Sequence, residues 1–230
     1  MSFVQVTTAD GQKMQAFEVL AKNKNAPGLV LIQEIFGINA SMRQLAQDWA
    51  QRGFNVWCPD LFFRSEPGLE LDPTNQAQLD LGLELMQEMD TVKTLADLES
   101  TRAQLAEKLG HDNIVAVGYC MGGRLVVEMA AQSPIKAAVS YYGVNLENVV
   151  PPMKTTAPAL LHIAENDQWV QGDALTIIQA EVAKREGWES HVYAGCDHAF
   201  ARPKGQHFDV EADALAIQHS MDFLARHTAK

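Results

Sequence analysis

The stretch Ile114-Val115-Ala116-Val117-Gly118-Tyr119-Cys120-Met121-Gly122-Gly123-Arg124-Leu125 limits the fold more than any other part of the chain. A continuous apolar, β-rich run, the kind buried on both faces of a parallel sheet, leads through G-x-C-x-G into a predicted helix over 121–131. This is the nucleophile-elbow pattern with cysteine in place of serine. Glycines two residues to either side let strand and helix backbones approach across a sharp turn. The side chain at the tip is pushed out at the end of the sheet, where the dipole of the following helix favours a thiolate and a developing oxyanion. The bland alternative is a Gly-rich turn around an inert buried cysteine. The strand before it and the helix after it favour the catalytic reading.

The rest of the chain supplies what such a turn needs. Apolar runs predict strands over 3–7, 14–20, 28–33, 54–58, 137–142, 159–163 and 190–193. Between them, Met42, Leu45 and Trp49 mark a helix stopped by Gly53. Leu79, Leu83 and Met86 mark a helix beginning near Thr74, and Leu95, Leu98, Leu105 and Leu109 mark another ended by Gly110. Helices follow over 174–184 and through Val210, Ala214, Ile217, Met221 and Leu224, whereas Pro67, Gly68 and Pro73 punctuate a loop over 61–72. Strands alternating with helices predict an α/β fold, one mostly parallel sheet with helices on both faces, and no linker or repeat divides residues 1–230.

Charge narrows the partners. With 18 Lys and Arg against 29 Asp and Glu, the net charge of −11 disfavours phosphate backbones and anionic lipid. No apolar run approaches a membrane span and no signal-peptide pattern opens the chain, so a soluble cytoplasmic protein, monomeric by default, is expected. Cys58, Cys120 and Cys196 form an odd set without metal-type spacing, which fits a reducing compartment and implies neither metal nor other cofactor.

A thiol nucleophile needs a base, and the base needs an orienting carboxylate. In a fold with this elbow both come later in the chain, each in a loop after a strand. Asp167 follows the strand at 159–163, and His198 follows the strand at 190–193 in a Gly-containing loop. Glu165 and Asp197 are the rival acids. Asp197 adjoins the histidine, so its side chain tends to point elsewhere. His162 and His191 lie inside strand runs and read as core, while His111, His207, His219 and His227 read as solvated. Cys58 and Cys196 lack the elbow context and read as structural. Phe36, Tyr141, Phe62 and Trp169 could line a pocket, although single aromatics are more often packing.

Five stretches together resemble the dienelactone hydrolase (carboxymethylenebutenolidase) family along nearly the whole chain. They are Gln33-Glu34-Ile35-Phe36-Gly37, Cys58-Pro59-Asp60-Leu61, Gly118-Tyr119-Cys120-Met121-Gly122-Gly123, Tyr141-Tyr142-Gly143 and His198-Ala199-Phe200-Ala201-Arg202. The resemblance implies an α/β-hydrolase fold and a Cys120–His198–Asp167 triad. It also implies that Glu34 holds the resting thiol until substrate displaces it, with Ile35 and Met121 N–H groups as the oxyanion hole. A buried carboxylate after six largely apolar residues is costly without partners, which favours a functional role for Glu34. Arg202 would bind substrate, with Phe36 and Tyr141 as further candidates. Carboxylate-selective relatives carry an arginine and a tyrosine where this chain has Leu79 and Leu83, which read equally as core leucines or as an apolar pocket face.

The expected activity is hydrolysis of a small ester or lactone through an acyl-thioester. A broader carboxylesterase or thioesterase with an apolar acyl pocket is the second reading. A non-catalytic binding protein on the same fold is the third.

Overall fold

A computed structural model describes residues 1–154 and 157–228. The chain forms two compact units, Met1–Ile114 and Val115–Lys230. In the first, β1 (Ser2–Thr7), β2 (Lys13–Val19), β3 (Gly28–Ile32) and β4 (Asn55–Pro59) lie in the order β1-β2-β4-β3. The first two pairings are antiparallel and β3 runs parallel to β4. Every residue of β3 and β4 is buried, matching sequences that are apolar apart from Asn55, whose side-chain amide donates to the Ala26 carbonyl.

Helices α1 (Ala40–Gln51), α2 (Gln76–Glu88) and α3 (Thr91–Leu109) complete this unit. Asn39 caps α1 by accepting the Met42 N–H at 3.1 Å, and the helix buries Met42, Leu45, Ala46 and Trp49 at the predicted spacing. Gly110 ends α3 as expected, in a left-handed conformation that bonds back to the Ala106 and Glu107 carbonyls.

The loop at 61–72 is irregular but tied down. Asp60 accepts the Phe62 and Gly68 N–H groups, and Gln33 accepts the Leu61 N–H. Leu71 N–H donates to the Phe36 carbonyl at 3.0 Å, and a Cβ on Gly37 would sit 1.9 Å from the Leu69 oxygen. The segment after β3 is therefore clamped by the loop after β4, which gives a physical reason for the Gln33–Gly37 and Cys58–Leu61 stretches.

The second unit contains β5 (Ile114–Tyr119), α4 (Met121–Gln132), β6 (Ala138–Tyr141), α5 (Leu146–Val149), β7 (Ala159–Ala164), α6 (Ala174–Val182), β8 (Trp188–Tyr193) and α7 (Val210–Thr228). Strands β5-β6-β7-β8 are neighbours in that order and all parallel. The short α5 carries too few residues to show a period in sequence. Strand β8 starts two residues before the predicted edge, because Trp188 is buried and its indole N–H donates to the Ala157 carbonyl.

His162 is a core histidine, as its strand context suggested. Its Nδ1 bonds the Tyr193 hydroxyl and its Nε2 the Ser220 hydroxyl, each at 2.8 Å. His219 departs from the solvated role expected of it. It is half-buried on α7, its ring stacked on His191 at 3.8 Å and its Nδ1 within 3.3 Å of the Tyr193 hydroxyl.

Burial first, then the charges of His191 and His219, push His162 well below 6.5. A group depressed on folding takes up its proton more readily in the unfolded chain. Its stabilising contribution is whole above about pH 6.5 and falls below that by up to about 1.4 kcal/mol per pH unit. We expect the melting temperature of wild type to drop between pH 6.5 and 5, and His162→Gln to remove much of that slope. Parallel melting curves for the two proteins would refute this.

Candidate active site

Cys120 stands alone between β5 and α4 with φ 54° and ψ −117°, a strained conformation for any residue with a Cβ. Its surroundings over-determine the strain. The Cys120 N–H donates to the Tyr141 carbonyl at 3.0 Å. A Cβ on Gly118 would lie 2.0 Å from the Gly122 oxygen, and one on Gly123 would meet the Gly143 Cα and the Tyr141 oxygen at 2.8 Å. The glycines of the motif are thus required by backbone contact. The thiol residue is 6% exposed at the start of α4, whose first free N–H groups include that of Met121.

His198 follows β8, and its side chain hydrogen-bonds Cys120. Its Nδ1 lies 2.8 Å from Asp167 Oδ2, which leaves Nε2 for the thiol. Asp167 sits in the turn after β7 with its carboxylate fully buried, and its other oxygen accepts the Trp169 N–H at 2.9 Å. Burial alone would lower His198. The charge of Cys120 and the hydrogen bonds to Asp167 and Cys120 outweigh it and raise the imidazole to about 10. This arrangement can move a proton between sulfur and a leaving oxygen.

The rivals are engaged elsewhere. Glu165 accepts the Gly195 N–H at 2.8 Å, and Asp197 pairs with exposed His207 at 3.1 Å. Burial, then Asp60, pushes the fully buried Cys58 thiol up. Burial and then Asp209, Asp197 and Glu165 do the same to Cys196.

Tyr141 was expected as a candidate substrate contact, and its side chain is instead enclosed in the core. Its ring is fully buried and stacked on Tyr119 at 4.6 Å, and its hydroxyl bonds the Ser220 hydroxyl. The aromatic side chain against His198 is that of Tyr142, with ring centroids 5.1 Å apart. Sequence alternation could not separate the two, because every residue of β6 is buried. The ring of Trp169, in the same turn as Asp167, lies 6.5 Å from that of His198. Arg202 is half-buried in the His198 loop, its N–H donating to the Ala199 carbonyl.

The other candidates lie in the first unit. Glu34, Ile35 and Phe36 are all buried just after β3. Helix α2 meets this segment through Gly82, where a Cβ would lie 2.6 Å from the Ile35 oxygen. Leu79 and Leu83 flank that contact and are half-exposed, so they are not simply core. Among the described residues, no three His, Cys, Asp or Glu side chains are placed to hold a metal ion, and no helix is long and apolar enough to cross a membrane.

Mostly parallel strands alternating with helices, and an elbow presenting a side chain to an Asp–His pair, define an α/β hydrolase. The family model described as "Dienelactone hydrolase family" matches residues 14–228. Carboxymethylenebutenolidase of Pseudomonas putida is 33% identical over 226 residues, covering 96% of this chain and 95% of its own. A candidate carboxymethylenebutenolidase of Azospirillum brasilense is 40% identical over 210 residues, 88% of each chain. The crystal structure of a candidate dienelactone hydrolase from Klebsiella pneumoniae subsp. pneumoniae MGH 78578 superposes with a TM-score of 0.84 at 25% identity, over 98% of both chains. This chain belongs to the dienelactone hydrolase family. It is a hydrolase acting on a lactone or ester.

Proposed function

We propose that the chain opens small lactones or esters through an acyl-thioester on Cys120, with residues 1–230 working as one catalytic domain, monomeric and cytoplasmic. The observation that carries this reading is His198 held between the Cys120 thiol and the buried Asp167 carboxylate. The relatives named carboxymethylenebutenolidase support a lactone as substrate.

The thiolate adds to the carbonyl carbon, and the Met121 N–H steadies the oxyanion. The tetrahedral adduct collapses, the C–O bond breaks, and the His198 imidazolium gives its proton to the departing oxygen. Water then attacks the thioester as His198 takes a water proton, and the acid leaves with Cys120 restored. Glu34 and the Ile35 N–H keep the gate and donor roles that the resemblance gives them, and Phe36 and Arg202 keep those of substrate contacts. The test is a burst of product from an activated aryl ester. One equivalent of product per Cys120 thiol supports the reading, and a linear time course with no covalent adduct on Cys120 ends it.

The half-exposed Leu79 and Leu83 favour neutral, apolar substrates over carboxylate-bearing ones. One charged hydrogen bond is worth about 1.5–3 kcal/mol, so a clamp short of one group loses around ten- to a hundredfold in anion selection. We expect wild type to favour a methyl ester over the matched acid, and Leu79→Arg with Leu83→Tyr to shift the kcat/KM ratio toward the acid. A hundredfold preference of wild type for the acid would mean that another cation completes the clamp.

A further inference from the structure

We propose that Trp169 forms the wall of a leaving-group subsite that selects planar, unsaturated or aromatic alcohol portions of the substrate. The proposal rests on the thioester reading above, because it depends on which part of the substrate faces His198.

Among the described residues, the aromatic rings of Tyr142 and Trp169 lie within contact range of the His198 imidazole, at 5.1 Å and 6.5 Å. Tyr142 is 1% exposed and has no surface to offer a ligand, whereas Trp169 is 41% exposed. A single exposed aromatic is ordinary on a protein surface and by itself says nothing. The backbone N–H of Trp169 donates to Asp167 Oδ1, the oxygen not used by His198, so the main chain of this residue is anchored in the same turn. The turn that orients the imidazole therefore also carries the indole beside it.

The chemistry says what the exposed ring would meet. To protonate the leaving oxygen, the imidazolium must come within about 3 Å of it. Whatever is bonded to that oxygen then lies beside the imidazole, within reach of Trp169. The acyl portion is held by its bond to Cys120 and remains after the alcohol has gone. In a lactone the leaving oxygen stays tethered, and the ring carbon bearing it takes the alcohol's place. A flat π-system there can stack on the indole or meet its edge, a contact that a short alkyl group makes poorly.

The experiment separates the two halves of the reaction. Benzyl and ethyl esters of one acid report acylation through kcat/KM, and the steady-state rate after the burst on the matching p-nitrophenyl ester reports deacylation of their shared acyl-enzyme. For Trp169→Ala we expect kcat/KM on the benzyl ester to fall about three- to tenfold further than on the ethyl ester, the range of an aromatic contact. Deacylation should be unchanged, since the alcohol has already left, and Trp169→Phe should restore much of the benzyl preference. Equal losses on both esters, with deacylation slowed alongside, would show that Trp169 acts only by positioning Asp167, and would overturn the subsite. Unchanged kinetics throughout would overturn it as well. If wild type forms no acyl adduct on Cys120 with the aryl ester, the thioester reading itself fails and the subsite falls with it. Intact mass makes that outcome distinct from the others.

Discussion

Replacing Cys120 with alanine is expected to lower ester or lactone hydrolysis by about 10⁴-fold or more, because the proposed route has a single nucleophile and no substitute for it. The fold should survive. Alanine carries the same Cβ as cysteine, so the strained turn at φ 54° is no more strained than before, and the packing lost is that of one sulfur atom. The backbone bond from residue 120 to the Tyr141 carbonyl also stays. Cys58→Ala and Cys196→Ala are the matched controls. Burial and nearby carboxylates push both thiols up, away from the thiolate form, and both variants should keep activity, with Cys58→Ala costing stability because its side chain is wholly enclosed. Activity should be compared at equal folded fraction, measured by thermal melting. Turnover by Cys120→Ala at a rate near wild type, with loss in Cys196→Ala, would place the nucleophile elsewhere.

The elbow was legible in sequence because its constraints are local. A buried run, a cysteine and glycines at fixed offsets describe one turn, and the near-zero clearance at Gly118 and Gly123 explains why no other residue serves there. Asp167 and His198 were legible for a different reason, since this fold fixes the order in which loops deliver the acid and the base. The failures lie where burial erases a signal. Tyr141 and Tyr142 are adjacent aromatics at the end of a strand buried on both faces, so no alternation of burial says which ring meets His198. His219 sits between exposed Gln218 and buried Ser220 on its helix, and its stacking on His191 depends on how α7 packs against β8, which no helical period records. The clamp of the loop at 61–72 on the segment after β3 was likewise invisible, because turns carry polar residues whether or not they are anchored. Yet the Gln33 and Asp60 side chains that build it were already part of the family likeness.

The Asp167–His198 pair should separate two kinds of loss. His198→Gln removes the group that moves protons in both half-reactions, so kcat should fall by roughly 10²–10⁴-fold for acylation and deacylation alike. Asp167→Asn keeps the shape of the buried turn and a hydrogen-bonding partner for Nδ1, so its effect should be smaller and act through the imidazole. Its signature is in the pH profile. The charge of Cys120 and the hydrogen bonds to Asp167 and Cys120 together lift His198 to about 10 against the opposing pull of burial. Wild-type activity should therefore hold its alkaline limb until the imidazolium is lost near that value. Taking away the Asp167 contribution leaves burial less opposed, and the limb should move to lower pH in Asp167→Asn. A role confined to stability would lower the folded fraction and leave the limb where it was. Glu165→Gln is the discriminating control, because Glu165 serves the Gly195 N–H and not the imidazole. It should leave both kcat and the alkaline limb near wild type. If Asp167→Asn were silent and Glu165→Gln inactivating, the orienting carboxylate would be Glu165, two residues earlier in the same turn.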